Sequence, residues 1–186
     1  MNDRPMSPAS DGVVELRPHT PASLEPLVRW KNDLEIQRMS DDEIHTYSRE
    51  QVAATLERWM RPSEDVVHLA IGLTGRAEPI GFLHLALIER AHQRCRLGIV
   101  VGEKELWGHG YGHQAVVQAV GHAFDVLGLE RITAEVFGDN PRSARLLEGA
   151  GFVQEGVMRA SMLRDGRRVD ELVYGLLRHE WSKGRK

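Results

Sequence analysis

The sequence predicts one α/β domain (α+β in the ordering of its elements): a mixed, mostly antiparallel sheet of about seven strands, flanked by about four helices. Three observations carry this. Short apolar runs of strand character recur seven times, from VVELRP near residue 13 to RRVDELVYGLL ending at residue 177. Four stretches have helical periodicity or helix-start signals. No repeat or internal linker interrupts the 186 residues, a length that suits a single core.

In chain order, residues 1–12 are a polar, Pro/Ser-rich tail expected to lack fixed structure, and the domain spans 13–181, with a basic tail at 182–186. Thr20-Pro21 predicts a capped helix through Leu24, Leu27, Val28 and Trp30. Ser48 and Gln51 form a capping-box pattern for a second helix, with Val52, Leu56, Trp59 and Met60 on its apolar face and Pro62 ending it. VVHLAIGL and IGFLHLALIE read as a hairpin around TGRAEP, followed by the strand CRLGIVVG. A helix over 113–127 closes at Gly128, RITAEVF is a strand, and Asn140-Pro141 opens a short helix. The last two strands turn at Asp165-Gly166.

Composition excludes several function classes. A formal charge of -3 gives no general attraction to nucleic acid or anionic membrane. Cys95 is the single cysteine, which excludes an intrachain disulfide and argues against a Cys-based zinc site. No apolar run approaches a membrane span and no signal-peptide core is visible, so a soluble, cytoplasmic protein is expected.

The stretch W107-G-H-G-Y-G-H113 is the chemical signal. A strand, a glycine-rich turn and a helix start present converging backbone N–H groups at the positive end of a helix dipole, which suits phosphate. It is neither a Walker loop nor a dinucleotide fingerprint, and taken alone it is equally a ligand-free turn. His109 and His113 have no third ligand nearby in sequence, so no metal is expected.

Three segments in order, RLGIVVGEKELWGHGYGHQAV, VFGDNPRSARLLEGAGFVQEGVMR and DGRRVDELVYGLL, together resemble the GNAT superfamily of acetyl-CoA-dependent N-acetyltransferases. The likeness is to the branch with ribosomal-protein N-terminal, spermidine and amino-sugar acetyltransferases. It implies a parallel central strand pair, 97–101 beside 132–137, splayed to admit pantetheine, with Val100 and Gly102 as backbone partners. Trp107, Gly108, His109, Gly110, Tyr111 and Gly112 map onto the loop that takes the diphosphate of acetyl-CoA. Trp107 stands where the family has Gln or Arg.

Asn140 and Ser143 match the family's Asn-x-x-Ser pattern, which implies cofactor contact by Asn140 and a proton donor to the thiolate in Ser143. On sequence alone Asn140 is also a helix cap. Leu147 replaces the tyrosine many relatives use as acid, and Arg96 replaces a common acidic residue. Glu135 is the candidate base, with Glu103, His45 and Glu89 behind it.

The implied reaction is direct attack of an amine on the thioester. A lysine-like amine is neutral in only about 1 in 2,500 molecules at pH 7, an α-amine in roughly one-tenth to one-fifth, so the need for a base depends on the acceptor. Trp30, Asn32, Asp41, Asp42 and Tyr174 are the expected acceptor-site residues, with the acidic run through Glu43 drawing a cationic amine. The partners are therefore acetyl-CoA and an amine, and a homodimer would fit the resemblance. The alternative is a catalytically idle GNAT fold that binds acyl-CoA as a sensor or partner module.

Overall fold

In the computed structural model β1 (Val14–Arg17), β2 (Val67–Leu73), β3 (Gly81–Glu89), β4 (Arg94–Val101), β5 (Arg131–Phe137), β6 (Val153–Arg164) and β7 (Arg167–Leu177) form one sheet in the order β1-β2-β3-β4-β5-β7-β6. Described are residues 13–40, 43–164 and 166–183; the tails at 1–12 and 184–186, Asp41, Asp42 and Asp165 lie outside them. All neighbours are antiparallel except β4 and β5, whose parallel pairing covers only Arg94–Arg131, Cys95–Ile132 and Arg96–Thr133.

Helices cover both faces. On one side α4 (Tyr111–Gly121) and α5 (Pro141–Gly149) bury Val116, Ala119, Val120 and Leu147 against Leu83, Leu85, Leu97, Ile132 and Tyr174. On the other, α1 (Leu24–Lys31), α2 (Leu34–Ser40) and α3 (Arg49–Trp59) gather Leu27, Trp30, Ile36, Val52 and Leu56 over Phe82 and Val100. Each fully buried aliphatic of this kind contributes about 1.5–3 kcal/mol relative to exposure.

Several local expectations change. The Thr20 side chain makes no capping bond; its carbonyl accepts from Ser23 N–H at 2.9 Å in a 3-10 turn over Pro21–Ser23, and the α-helix begins only at Leu24. The capping box of Ser48 and Gln51 is formed, but Met60 caps that helix and is exposed. The helix of 113–127 starts two residues earlier and widens to a π-turn over His122–Val126, closed at Gly128 with φ 67°. Two helices were not foreseen: α2, initiated by Asp33 Oδ1 accepting from the amides of Glu35 and Ile36, and α6 (Arg178–Lys183). Among the described residues no helix is long and apolar enough to cross a membrane.

His19 is 5% exposed, with its ring 5.2 Å from Trp59 and Nδ1 3.1 Å from Ser23 Oγ. Burial first, and His68 second, push its pKa down to about 4. The unfolded chain takes up a proton near pH 6.5 and the fold resists it, so stability declines as pH falls from about 6.5 towards 4. Urea unfolding should show a lower midpoint at pH 5 than at pH 7, and a shallower decline in His19→Gln. An unchanged slope in that variant would remove His19 as the cause.

Candidate active site

Beyond Arg96 and Thr133 the two parallel strands diverge, and the gap runs between two cavities. The larger, about 920 Å³, lies on the face covered by α1–α3; the smaller, about 350 Å³, lies between α2, the glycine loop and the starts of α4 and α5. Met39, Ile99, Val100, Asn140 and Ser143 line both, so the cavities meet where β4 faces the start of α5.

The glycine loop is built for that position. Gly108 and Gly110 have φ of 82° and 83°, a left-handed conformation that a Cβ strains. Gly110 caps α4, and the helical ladder starts when Gln114 N–H donates to the Gly110 carbonyl at 3.0 Å. The amides of Gly112 and His113 therefore lie in the first turn, where no carbonyl of their own helix can accept them. A Cβ on Gly112 would come within 2.8 Å of Leu146 Cδ1, so glycine also permits the approach of α4 to α5.

The loop's side chains brace it. Trp107 donates its indole N–H to the Val101 carbonyl at 2.7 Å, and the Arg142 guanidinium sits 4.2 Å above its ring. His109 Nδ1 is 3.1 Å from the Trp107 carbonyl, its ring stacked on Tyr111, and His113 Nε2 is 3.0 Å from the Gly149 carbonyl. Among the described residues no group of three or more His, Cys, Asp or Glu is arranged to hold a metal ion.

Asn140 Oδ1 accepts from Ser143 N–H at 3.1 Å, while Nδ2 donates to the Met39 carbonyl at 3.3 Å, tying α5 to the end of α2. Glu135 lines the larger cavity with Oε2 accepting from Arg96 Nη1 at 2.9 Å. Opposite stands His84, a residue the sequence reading did not single out. Its ring lies over Gly98, where a Cβ would overlap it, and the described residues offer its nitrogens no hydrogen bond. Burial, then His68 and Arg96, lower its pKa to about 4, so it is a neutral acceptor at pH 7. Phe82, Tyr47, Met162 and Glu171 complete this wall.

The Acetyltransferase (GNAT) domain model matches residues 14–153. The chain belongs to the GNAT acetyltransferase family. It is an N-acetyltransferase. An uncharacterized N-acetyltransferase of Bacillus subtilis, YoaA, is 30% identical over 148 residues, 75% of this chain and 83% of that protein. The ribosomal protein uS5-alanine N-acetyltransferase of Escherichia coli is 31% identical over 110 residues, 58% of this chain and 56% of its own. The crystal structure of spermidine N-acetyltransferase from Vibrio cholerae, in complex with CoA and spermine, matches with a TM-score of 0.81 at 21% identity, over 91% of this chain and 98% of that one. At that identity the match speaks for the GNAT fold.

Within this GNAT domain some expected site residues lie elsewhere. Gly102 donates its N–H to the Ile80 carbonyl at 2.8 Å, on the β3 side, and its Cα is packed against the Trp30 ring. Backbone alternation turns Val100 the same way, so Ile99 and Val101 present their backbone to the gap and Val100 only its side chain. Trp30 is 3% exposed and belongs to the α1–α3 cluster.

Asn32 acts on backbone: Oδ1 accepts from Tyr47 N–H at 2.9 Å, and Nδ2 donates to the carbonyls of Val28 and Tyr47. Tyr174 pairs across from Ala134 on the α4–α5 face, with its hydroxyl donating to Glu148 at 3.0 Å, so it is a core residue away from the cleft. Asp41 and Asp42 lie outside the described residues. Of the secondary bases, Glu103 pairs with Arg29 and Glu89 with Arg94, whereas His45 lines the larger cavity 3.3 Å from Glu43.

Asn140→Ala removes both the helix cap and the tie to Met39 and should cost about 1–2 kcal/mol in denaturant unfolding. Asn140→Asp keeps the cap acceptor but not the donor and should cost less. Equal losses in the two variants would show that the cap carries none of the effect.

Proposed function

We propose that the enzyme transfers the acetyl group of acetyl-CoA to a primary amine of a small molecule or peptide N-terminus, by direct attack in a ternary complex. The observation that carries the reading is the meeting of the two cavities at Val100, Asn140 and Ser143. The smaller suits the donor: first-turn amides for a diphosphate at one end, an unpaired strand edge for an amide-bearing arm, Ser143 at the other. The larger suits the acceptor, with Glu43, Glu135 and Glu171 outnumbering Lys31 and Arg96 among its charged residues.

In the reaction the amine nitrogen bonds to the thioester carbonyl carbon while the C–S bond breaks. The nitrogen gives up one proton and the sulfur gains one. Ser143, or a water it holds, is the proton donor in this reading, because its residue lines both cavities while Leu147 is buried. Glu135 is the acceptor of the amine proton, directly or through water: it lines the larger cavity, and its bond to Arg96 engages Oε2 rather than Oε1. Much of the rate would come from holding the two substrates together.

The test is thiol release from acetyl-CoA across polyamines, amino sugars, aminoglycosides and N-terminal peptides. Turnover is expected with at least one class, and should vanish in Gly110→Val, whose branched side chain cannot take a φ of 83° without strain. Tight acetyl-CoA binding with no turnover on any amine would sink the proposal.

Ser143→Ala should lower kcat about 100- to 10,000-fold with acetyl-CoA affinity little changed. Glu135→Gln should depress activity most at low pH, where the amine is protonated. A pH–rate profile of unaltered shape would exclude Glu135 as the base.

A further inference from the structure

We infer that Arg142, seated on the indole of Trp107, is the side-chain cation of the phosphate-binding loop and holds the diphosphate of CoA in place of the Gln or Arg that Trp107 displaces. The inference rests on the smaller cavity being the acetyl-CoA site.

Its first support is geometric. The guanidinium carbon lies 4.2 Å from the centroid of the Trp107 ring, and both residues line the cavity with Gly108, Gly110 and Gly112. The ring cannot swing freely, because its N–H is committed to the Val101 carbonyl at 2.7 Å. A guanidinium held over a ring face still offers N–H donors at its edge, and these can grip phosphate oxygens two at a time. Trp107 thus fixes the pose of a donor edge it cannot itself supply.

The second support is electrostatic. Arg29, Arg49, Arg94, Arg96, Arg131, Arg164 and Arg178 each pair with a carboxylate; among the described residues no carboxylate pairs with Arg142, or with Arg145 beside it. Arg142 also stands in the first turn of α5, which contains no acidic residue, at the end of a helix where a cation is disfavoured. An anion in the adjacent cavity relieves both conditions. Arg145 lines the same cavity one turn further along α5, off the Trp107 ring, and serves as the matched comparison.

The experiment is calorimetric titration of the intact protein with CoA and with dephospho-CoA, which keeps the diphosphate and lacks the 3′-phosphate. Arg142 is exposed, so Arg142→Ala should fold normally. It should weaken both ligands by about 10- to 100-fold, the scale of a lost charge-assisted pair, with Arg145→Ala costing clearly less.

A loss confined to CoA would assign Arg142 to the 3′-phosphate and overturn the inference, as would equal losses in Arg142→Ala and Arg145→Ala, which would reflect charge in general. Unchanged affinity in Arg142→Ala, alongside abolished binding in Gly110→Val, would overturn this inference while leaving the proposed function standing. Failure of the unmodified protein to bind either ligand would bring down both.

Discussion

The short parallel pairing of β4 with β5 is the constraint on which the rest of the site depends. Each strand is fully engaged on its outer side, β4 with β3 as far as Val101 and β5 with β7 as far as Phe137, yet they share only three residue pairs with each other. Past Arg96 and Thr133 the inner edges face a gap. A buried backbone group without a partner costs on the order of 1–3 kcal/mol, so such a gap must be filled or wet. The protein fills one place itself, with the Trp107 indole on the Val101 carbonyl. What remains is an edge that an extended, amide-bearing chain can satisfy, and the two cavities meet along it at Ile99 and Val100.

The wall of the larger cavity is held by a different device. Residues 43–47 form no helix or strand, yet Tyr47 and His45 are fixed through their backbone by two carboxamides. Asn32 brackets Tyr47, and Gln37, only 1% exposed, donates to the carbonyls of Lys31 and His45 and accepts from His45 N–H at 2.7 Å. A buried amide with its bonds satisfied can impose a single geometry on an irregular segment, where a salt bridge at the surface would impose little. The wall is therefore anchored to α1 and α2, and α2 is in turn tied to α5 through Asn140 and Met39.

These amides explain what the sequence could and could not convey. Alternation along the strands is a property of the residues themselves, so all seven strands and the β2–β3 hairpin were legible, as was the glycine loop. Helix α2 spans seven residues, too few to display a period, and it is started by a side-chain bond from Asp33. The main-chain partners of Asn32 were not legible, because a polar side chain in a sequence does not reveal whether its partner is a ligand or a main chain. As backbone partners Val100 and Gly102 are out by one residue of register: strand assignment fixes the two faces, but which edge each amide meets depends on the neighbour. His84 was hidden for a related reason, since only the register opposite Gly98 puts it in the cleft.

Trp107 shows how far the loop's geometry depends on residues outside it. Its ring packs among the α1–α3 cluster of Leu27, Trp30 and Val52, and its N–H reaches the last residue of β4. The Trp30 ring of the same cluster packs on Gly102, whose own N–H goes to the Ile80 carbonyl just before β3. The end of β4 is consequently clamped between two indoles, one through a glycine that admits no side chain and one through a carbonyl. A glycine-rich turn is conformationally permissive and by itself would sample many shapes. Here the first layer of helices, through Trp30 and Trp107, limits where its amides can point, so packing outside the loop shapes the smaller cavity.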